Sequence, residues 1–272
     1  MLNYLPWFLT SALYSPNFYQ LYHTRWEAID YTHAYFILPV SSWLVWRKRS
    51  QLKELFKIHR PQASADYAGI SLLIVSLAIF LFGWRQEYLF ISTLSLIPLL
   101  YGMIIYLYGR AIAKTLSFPI LYLLLLVPPP LSIIDSITLP MRYGISVATE
   151  AILKAFHYPI VRDGLLLSLG NHEIYMGAPC SGFRSLSTII ALGLIYVYLT
   201  KYALTKKVIL LASVIPLAIL GNLLRVISVC LATFYFGNSA GRKFHDISGF
   251  IIFIVLIAGM LGIEKLLNKD KN

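Results

Sequence analysis

Cys180, Arg225 and His245 are the residues of this chain whose types and settings allow joint chemistry. Cys180 stands in Ala178-Pro179-Cys180-Ser181-Gly182-Phe183-Arg184-Ser185-Leu186, where a proline before the cysteine and Ser181-Gly182 after it read as a helix start. Free backbone N–H groups and the positive end of the helix dipole favour a thiolate there, so the sequence predicts a thiol titrating below its usual ~8.5. Asn222-Leu223-Leu224-Arg225 lies inside a long apolar run. A charge in such a place is costly and marks a functional candidate. Asn222, three residues earlier on the same helix face, is expected to hold Arg225. His245, in Phe244-His245-Asp246-Ile247-Ser248-Gly249, leads into the last apolar run and carries the side chain best suited to move protons near neutral pH. Asp246 or Ser248 is expected to cap that run, with Gly249 leaving room for a neighbour. Taken singly, each residue also has a plainer reading: an apolar filler, an arginine snorkelling to lipid phosphate, a loop histidine.

These residues need elements that bring them to one level. Counted from Lys207, Arg225 lies roughly 27 Å along a helix, and Cys180 lies roughly 31 Å from Lys201 by the same rise. His245 reaches that level from the other direction. The spans expected are about eight, near 4–22, 31–46, 66–84, 88–108, 115–134, 181–200, 208–230 and 247–265, which makes the chain an all-α polytopic membrane protein. Without repeats or flexible linkers, residues 1–272 read as one domain.

Composition supports a lipid setting. Of 272 residues, 58% are hydrophobic and 13% charged, and the mean hydropathy is +0.70, outside the range of a soluble domain. The net charge of +11 raises nucleic acid as a partner, but the Lys and Arg residues cluster in short loops: Arg47 to Arg60, Arg110 with Lys114, Lys201 to Lys207, and Lys265 to Lys271. That pattern is an orientation signal, not a nucleic-acid surface, and it assigns these loops and the C-terminus to the cytoplasm. Two cysteines at unrelated positions form neither a disulfide framework nor a metal-ligand spacing. No phosphate-binding loop or Rossmann glycine pattern occurs, so no cofactor or metal is expected. The N-terminus lacks a basic leader with a cleavage site, and Met1 onward is read as mature protein.

The remaining outer segment, 135–180, precedes Cys180. Residues 136–156 mix apolar positions with Arg142, Glu150 and Lys154, as an amphipathic interfacial helix does. Residues 160–176, split by Gly164 and Gly170-Asn171, predict a short β-hairpin.

Together, Cys180-Ser181-Gly182 followed by Arg184-Ser185-Leu186, Asn222-x-x-Arg225 and His245-x-x-x-Gly249 resemble the exosortase/archaeosortase family of membrane cysteine transpeptidases. Arg162-Asp163-Gly164 and Tyr31-Thr32-His33 look like further family features. Thr32 and Ala34 beside His33, and Pro179 before Cys180, depart from the usual family residues. The resemblance implies Cys180 as nucleophile, Arg225 as oxyanion or thiolate stabiliser and His245 as general acid/base. Its supporting residues are Asn222, Arg184, Ser181, Gly182, Gly249, Arg162 and His33. It also implies partners: secreted proteins held in the membrane by a C-terminal sorting signal, often with a Pro-Glu-Pro motif, and an acceptor it leaves open, whether lipid, glycan or water. Cleavage would pass through a Cys180 thioester at the outer face of the plasma (inner) membrane. Two other readings stand beside this one: a transporter or lipid-binding protein with an inert cysteine, and a protease whose acceptor is water.

Overall fold

A computed structural model describes residues 4–26, 31–58 and 66–269. Arg60, Lys271 and the side chains of Pro179, Asp246 and Lys269 lie outside the described set, and with them the expected cap by Asp246. The chain forms two compact units, Met1–Pro130 and Leu131–Asn272.

The first unit is helical: α1 (Leu5–Leu21), α2 (Ala34–Arg47), α3 (Arg49–Ile58), α4 (Tyr67–Arg85), α5 (Leu89–Leu94), α6 (Leu96–Tyr108) and α7 (Arg110–Tyr122). Tyr14, Phe80, Leu96 and Leu99 form a core cluster. The break between α5 and α6 is lined by hydroxyls, and Tyr14 and Asn17 of α1 bond Ser95 and Ser92 there at 2.6 and 2.8 Å.

The second unit opens with α8 (Leu131–Ala155), the expected amphipathic helix in a slightly longer form. Three strands follow, not a two-stranded hairpin: β1 (Ile160–Asp163), β2 (Leu166–Leu169) and β3 (His172–Tyr175) in an antiparallel meander. Gly164 and Gly170, both at positive φ, make its two turns. Strand alternation turns Ile160, Leu167 and Leu169 inward. A 3₁₀ turn, Ala178–Ser181, leads to α9 (Phe183–Leu199), and α10 covers Leu204–Lys269.

α10 is a helical hairpin. Its one non-helical residue is Gly237, at φ 80° and ψ 173°, a conformation open to glycine and strained for other residues. Leu217 packs against Gly259, Gly221 against Ile252 and Leu256, and Thr233 against Gly241, so the two arms run antiparallel about Gly237. Between the runs expected at 208–230 and 247–265 the chain is therefore helix on both sides of Gly237, and the hairpin rises roughly 18 Å beyond Arg225 before it turns.

The all-α polytopic membrane class holds, with a different count of long helices. Among the described residues, four stretches are long and apolar enough to cross a bilayer: Tyr67–Arg85, Leu89–Tyr108, Leu204–His245 and Ile247–Leu267. The other expected spans form shorter helices of 13 to 17 residues, namely α1, α2, α7 and α9. Seventeen residues rise only about 26 Å, short of a ~30 Å hydrocarbon layer. The run expected at 115–134 ends because Pro128, Pro129 and Pro130 lack backbone N–H groups and cannot continue a helix.

Candidate active site

The hairpin presents a polar layer between two apolar ones. On one side Ile189 of α9 packs with Val214, Ala218, Ile252 and Leu256 of α10. Toward the hairpin tip, Val226 and Cys230 pack with Ile145 and Leu153 of α8 and with the inner face of the sheet. Between them on the same arms stand Asn222, Arg225, His245 and Ser248. Cys180 reaches this layer from the 3₁₀ turn and packs against the second cluster.

The sulfur of Cys180 lies 4.0 Å from Nε2 of His245. Arg225, buried to 9% exposure, sets Nη2 at 3.1 Å from the same Nε2 and 3.4 Å from Nδ1. Two further bonds fix the guanidinium: Nη2 donates to the His245 carbonyl at 3.0 Å and Nε to Ser248 Oγ at 3.3 Å. Ser248 donates in turn to the same carbonyl at 3.0 Å. Ser248 thus ties Arg225 to the histidine's own turn of helix. Sequence reasoning saw Ser248 only as a cap; its spacing of three from His245 was the available signal.

Asn222 does not hold Arg225, as its position on the helix face suggested. Its Nδ2 donates to the backbone carbonyl of Cys180 at 2.8 Å and so fixes the cysteine turn to α10. Gly182 makes that approach possible. It sits at φ 75°, and a Cβ there would stand 2.7 Å from Cγ of Asn222. Ser181, buried, accepts the N–H of Phe183 at 3.2 Å and starts α9. Gly249 faces Arg225 with room to spare, since a Cβ would meet Nη2 at an ordinary 3.8 Å.

The thiol does not titrate as the sequence suggested. Cys180 precedes α9 by a 3₁₀ turn and a left-handed glycine, outside the spanning helices. Burial pushes its pKa up, against the charge of Arg225, a backbone hydrogen bond at Gly177 and the charge of Arg142, all of which pull it down. Desolvation of the thiolate outweighs the nearby cations. The imidazole nitrogen that faces this thiol is Nε2 of His245.

The other expected residues stand elsewhere. Arg184 is exposed on α9, where its backbone carbonyl accepts the hydroxyls of Ser187 and Thr188. Arg162 on β1 bonds Glu150 of α8 at 3.0 Å and the Gly164 carbonyl at 3.1 Å, and it lies over the ring of Tyr143, which fastens the sheet to α8. His33 belongs to the first unit, buried beside Tyr31 and hydrogen-bonded to the backbone of Leu125. Arg142, which the sequence offered only as a charged position of an amphipathic helix, acts on Cys180 through its charge from α8.

A cysteine, an imidazole and a guanidinium in one partly buried layer can perform acyl transfer: nucleophile, proton carrier and cation for an oxyanion. Among protein families, the model described as transmembrane exosortase matches residues 26–262. No curated protein and no solved structure matches the chain.

Proposed function

Since the chain belongs to the transmembrane exosortase family and is a multi-pass membrane protein, we propose that it is a cysteine transpeptidase that cleaves the C-terminal sorting signal of secreted proteins and passes them to an acceptor. The observation that carries this reading is the meeting of Cys180 Sγ, His245 Nε2 and Arg225 Nη2 within one layer.

In this mechanism the substrate's scissile carbonyl enters beside Cys180. The pair closes from 4.0 Å to hydrogen-bond range, and His245 takes the thiol proton as the sulfur attacks the carbonyl carbon. Arg225 stabilises the oxyanion from a position already fixed by Ser248 and the His245 carbonyl, so little reorganisation is needed as charge develops. Collapse breaks the C–N bond, and His245 gives its proton to the departing amine. A thioester remains. An acceptor hydroxyl or amine then loses its proton to His245, attacks the thioester and releases the product, and the proton returns to sulfur.

The substrate class is a protein still held by a C-terminal apolar helix, with a Pro-Glu-Pro-like motif just outside the membrane. The basic loops support an inner-membrane orientation with Cys180 at the outer face and the C-terminus in the cytoplasm. The reading treats residues 1–272 as one functional domain and needs no cofactor.

The test is coexpression with a tailed substrate. Cys180→Ala and Cys180→Ser are expected to abolish processing, and continued processing by either sinks the proposal. Mass spectrometry of the processed C-terminus separates acceptors, since hydrolysis leaves a free carboxylate and transfer leaves a heavier amide or ester.

A further inference from the structure

α8 carries a polar stripe at helical spacing: Thr138, Arg142, Ser146 and Thr149. The three hydroxyl residues are buried, and the Arg142 side chain is only 11% exposed. Ser146 is bonded to backbone carbonyls of Tyr143 and Gly164. Among the described residues the buried Thr138 hydroxyl has no hydrogen-bond partner.

Arg142 is held loosely for a buried guanidinium. Among the described residues its polar contacts are Nε to the Thr138 carbonyl at 3.4 Å and Nη2 to Asp135 at 3.9 Å, and the Asp135 side chain is 68% exposed. A guanidinium offers five donors in a planar fork. The other arginines of this unit's interior are better satisfied. Arg162 has a carboxylate at 3.0 Å, a carbonyl at 3.1 Å and an aromatic face, and Arg225 has a carbonyl, a hydroxyl and an imidazole.

The underused fork is carried by the helix that packs on the nucleophile's turn. α8 packs against the Ala178–Ser181 turn, and Ile145, one helical turn beyond Arg142, shares a cluster with Cys180. The charge of Arg142 is felt at the Cys180 sulfur.

We propose that Arg142, with the Thr138 hydroxyl, forms the specificity subsite of Cys180 and binds the carboxylate of an acidic side chain in the peptide being cut. This rests on Cys180 being the nucleophile. A carboxylate offers two oxygens to one planar fork, and the substrate's group would take the place of the long, exposed Asp135 contact. The cover over the guanidinium favours a peptide side chain. An arginine serving a lipid phosphate would present its head at the surface.

The test compares processing of a tailed substrate carrying Glu near its cleavage site with the same substrate carrying Gln or Lys, by wild-type enzyme and by Arg142→Gln, Arg142→Lys, Arg142→Glu and Thr138→Val, in vesicles. Wild type is expected to prefer Glu over Gln by about 10- to 100-fold in kcat/KM, as loss of a charge-assisted bond implies. Arg142→Gln is expected to lose that preference, Arg142→Glu to favour the Lys substrate, and Thr138→Val to lower the preference several-fold. Should Arg142→Gln fail to fold in detergent, Arg142→Lys and Thr138→Val carry the comparison.

Equal loss on all substrates with an alkaline shift of the pH profile would overturn the proposal, reducing Arg142 to a cation that acts on the thiol. Unchanged preference in Arg142→Gln, or in both Arg142→Lys and Thr138→Val, would overturn it too. So would a rate that follows the anionic lipid content of the vesicles and ignores the peptide's charge, which assigns the guanidinium to a lipid phosphate. Processing by Cys180→Ser would refute the nucleophile itself, an outcome separate from any of these.

Discussion

Nη2 of Arg225 stands 3.1 Å from Nε2 of His245, the ring nitrogen that also faces the Cys180 sulfur. Nη2 also stands 3.4 Å from Nδ1, so the guanidinium, which has donors only, sits against the imidazole beside both ring nitrogens. In the proposed mechanism, once His245 holds the thiol proton the imidazolium and the guanidinium repel, which turns Nη2 toward the oxyanion. Its bond to the His245 carbonyl and the Nε bond to Ser248 keep the guanidinium in place meanwhile.

Arg225→Lys tests that geometry. A lysine keeps the charge but not the planar fork, and it cannot hold the carbonyl and Ser248 together while facing His245. Processing is expected to fall by about 10²- to 10³-fold, the usual cost of losing a placed oxyanion donor. Wild-type turnover in Arg225→Lys would exclude the proposed role.

The thiol gives a second prediction through pH. Burial raises the Cys180 pKa, so less thiolate exists at neutral pH than for a free thiol with pKa near ~8.5. Alkylation of the purified protein should accelerate with pH through a midpoint above that value. Only Cys180 should be labelled, because Cys230 is fully buried. Arg225→Gln removes the strongest charge pulling the pKa down and should move the midpoint higher. A midpoint in the acidic range would contradict the balance of burial over charge.

Gly182→Ala tests the turn that holds the nucleophile. An L-residue at φ 75° costs about 1–2 kcal/mol, and its Cβ meets Asn222 at 2.7 Å. Processing should be largely lost. Adding Asn222→Ala removes the clash but not the backbone strain, so the double variant should recover stability in part. Full activity of Gly182→Ala would show that the turn can relax without consequence.

Ser248→Ala and His245→Gln should rank far apart. Loss of the Ser248 bonds costs about 1 kcal/mol and should slow processing several-fold. Loss of the proton carrier should cost about 10²- to 10⁴-fold. Comparable losses from both substitutions would mean that His245 acts structurally.

The sequence by itself determined the lipid setting, the amphipathic segment before Cys180 and the residues worth joining. Burial in hydrocarbon leaves a record in composition, and a rise of 1.5 Å per residue turns spacing into depth. Helix ends were less legible, because Pro128 to Pro130 stop a run whose hydropathy continues. Only the tertiary structure decided the rest. Asn222 bonds a carbonyl 42 positions away, a choice of partner no local pattern encodes. The hairpin about Gly237 brings Ser248 and His245 to Arg225. Cover by α8 and the sheet raises the thiol, since desolvation depends on what folds over a group and not on its neighbours in sequence. Arg142 was hidden for the same reason: an arginine on an amphipathic helix reads alike whether its side chain faces water or is covered, as here.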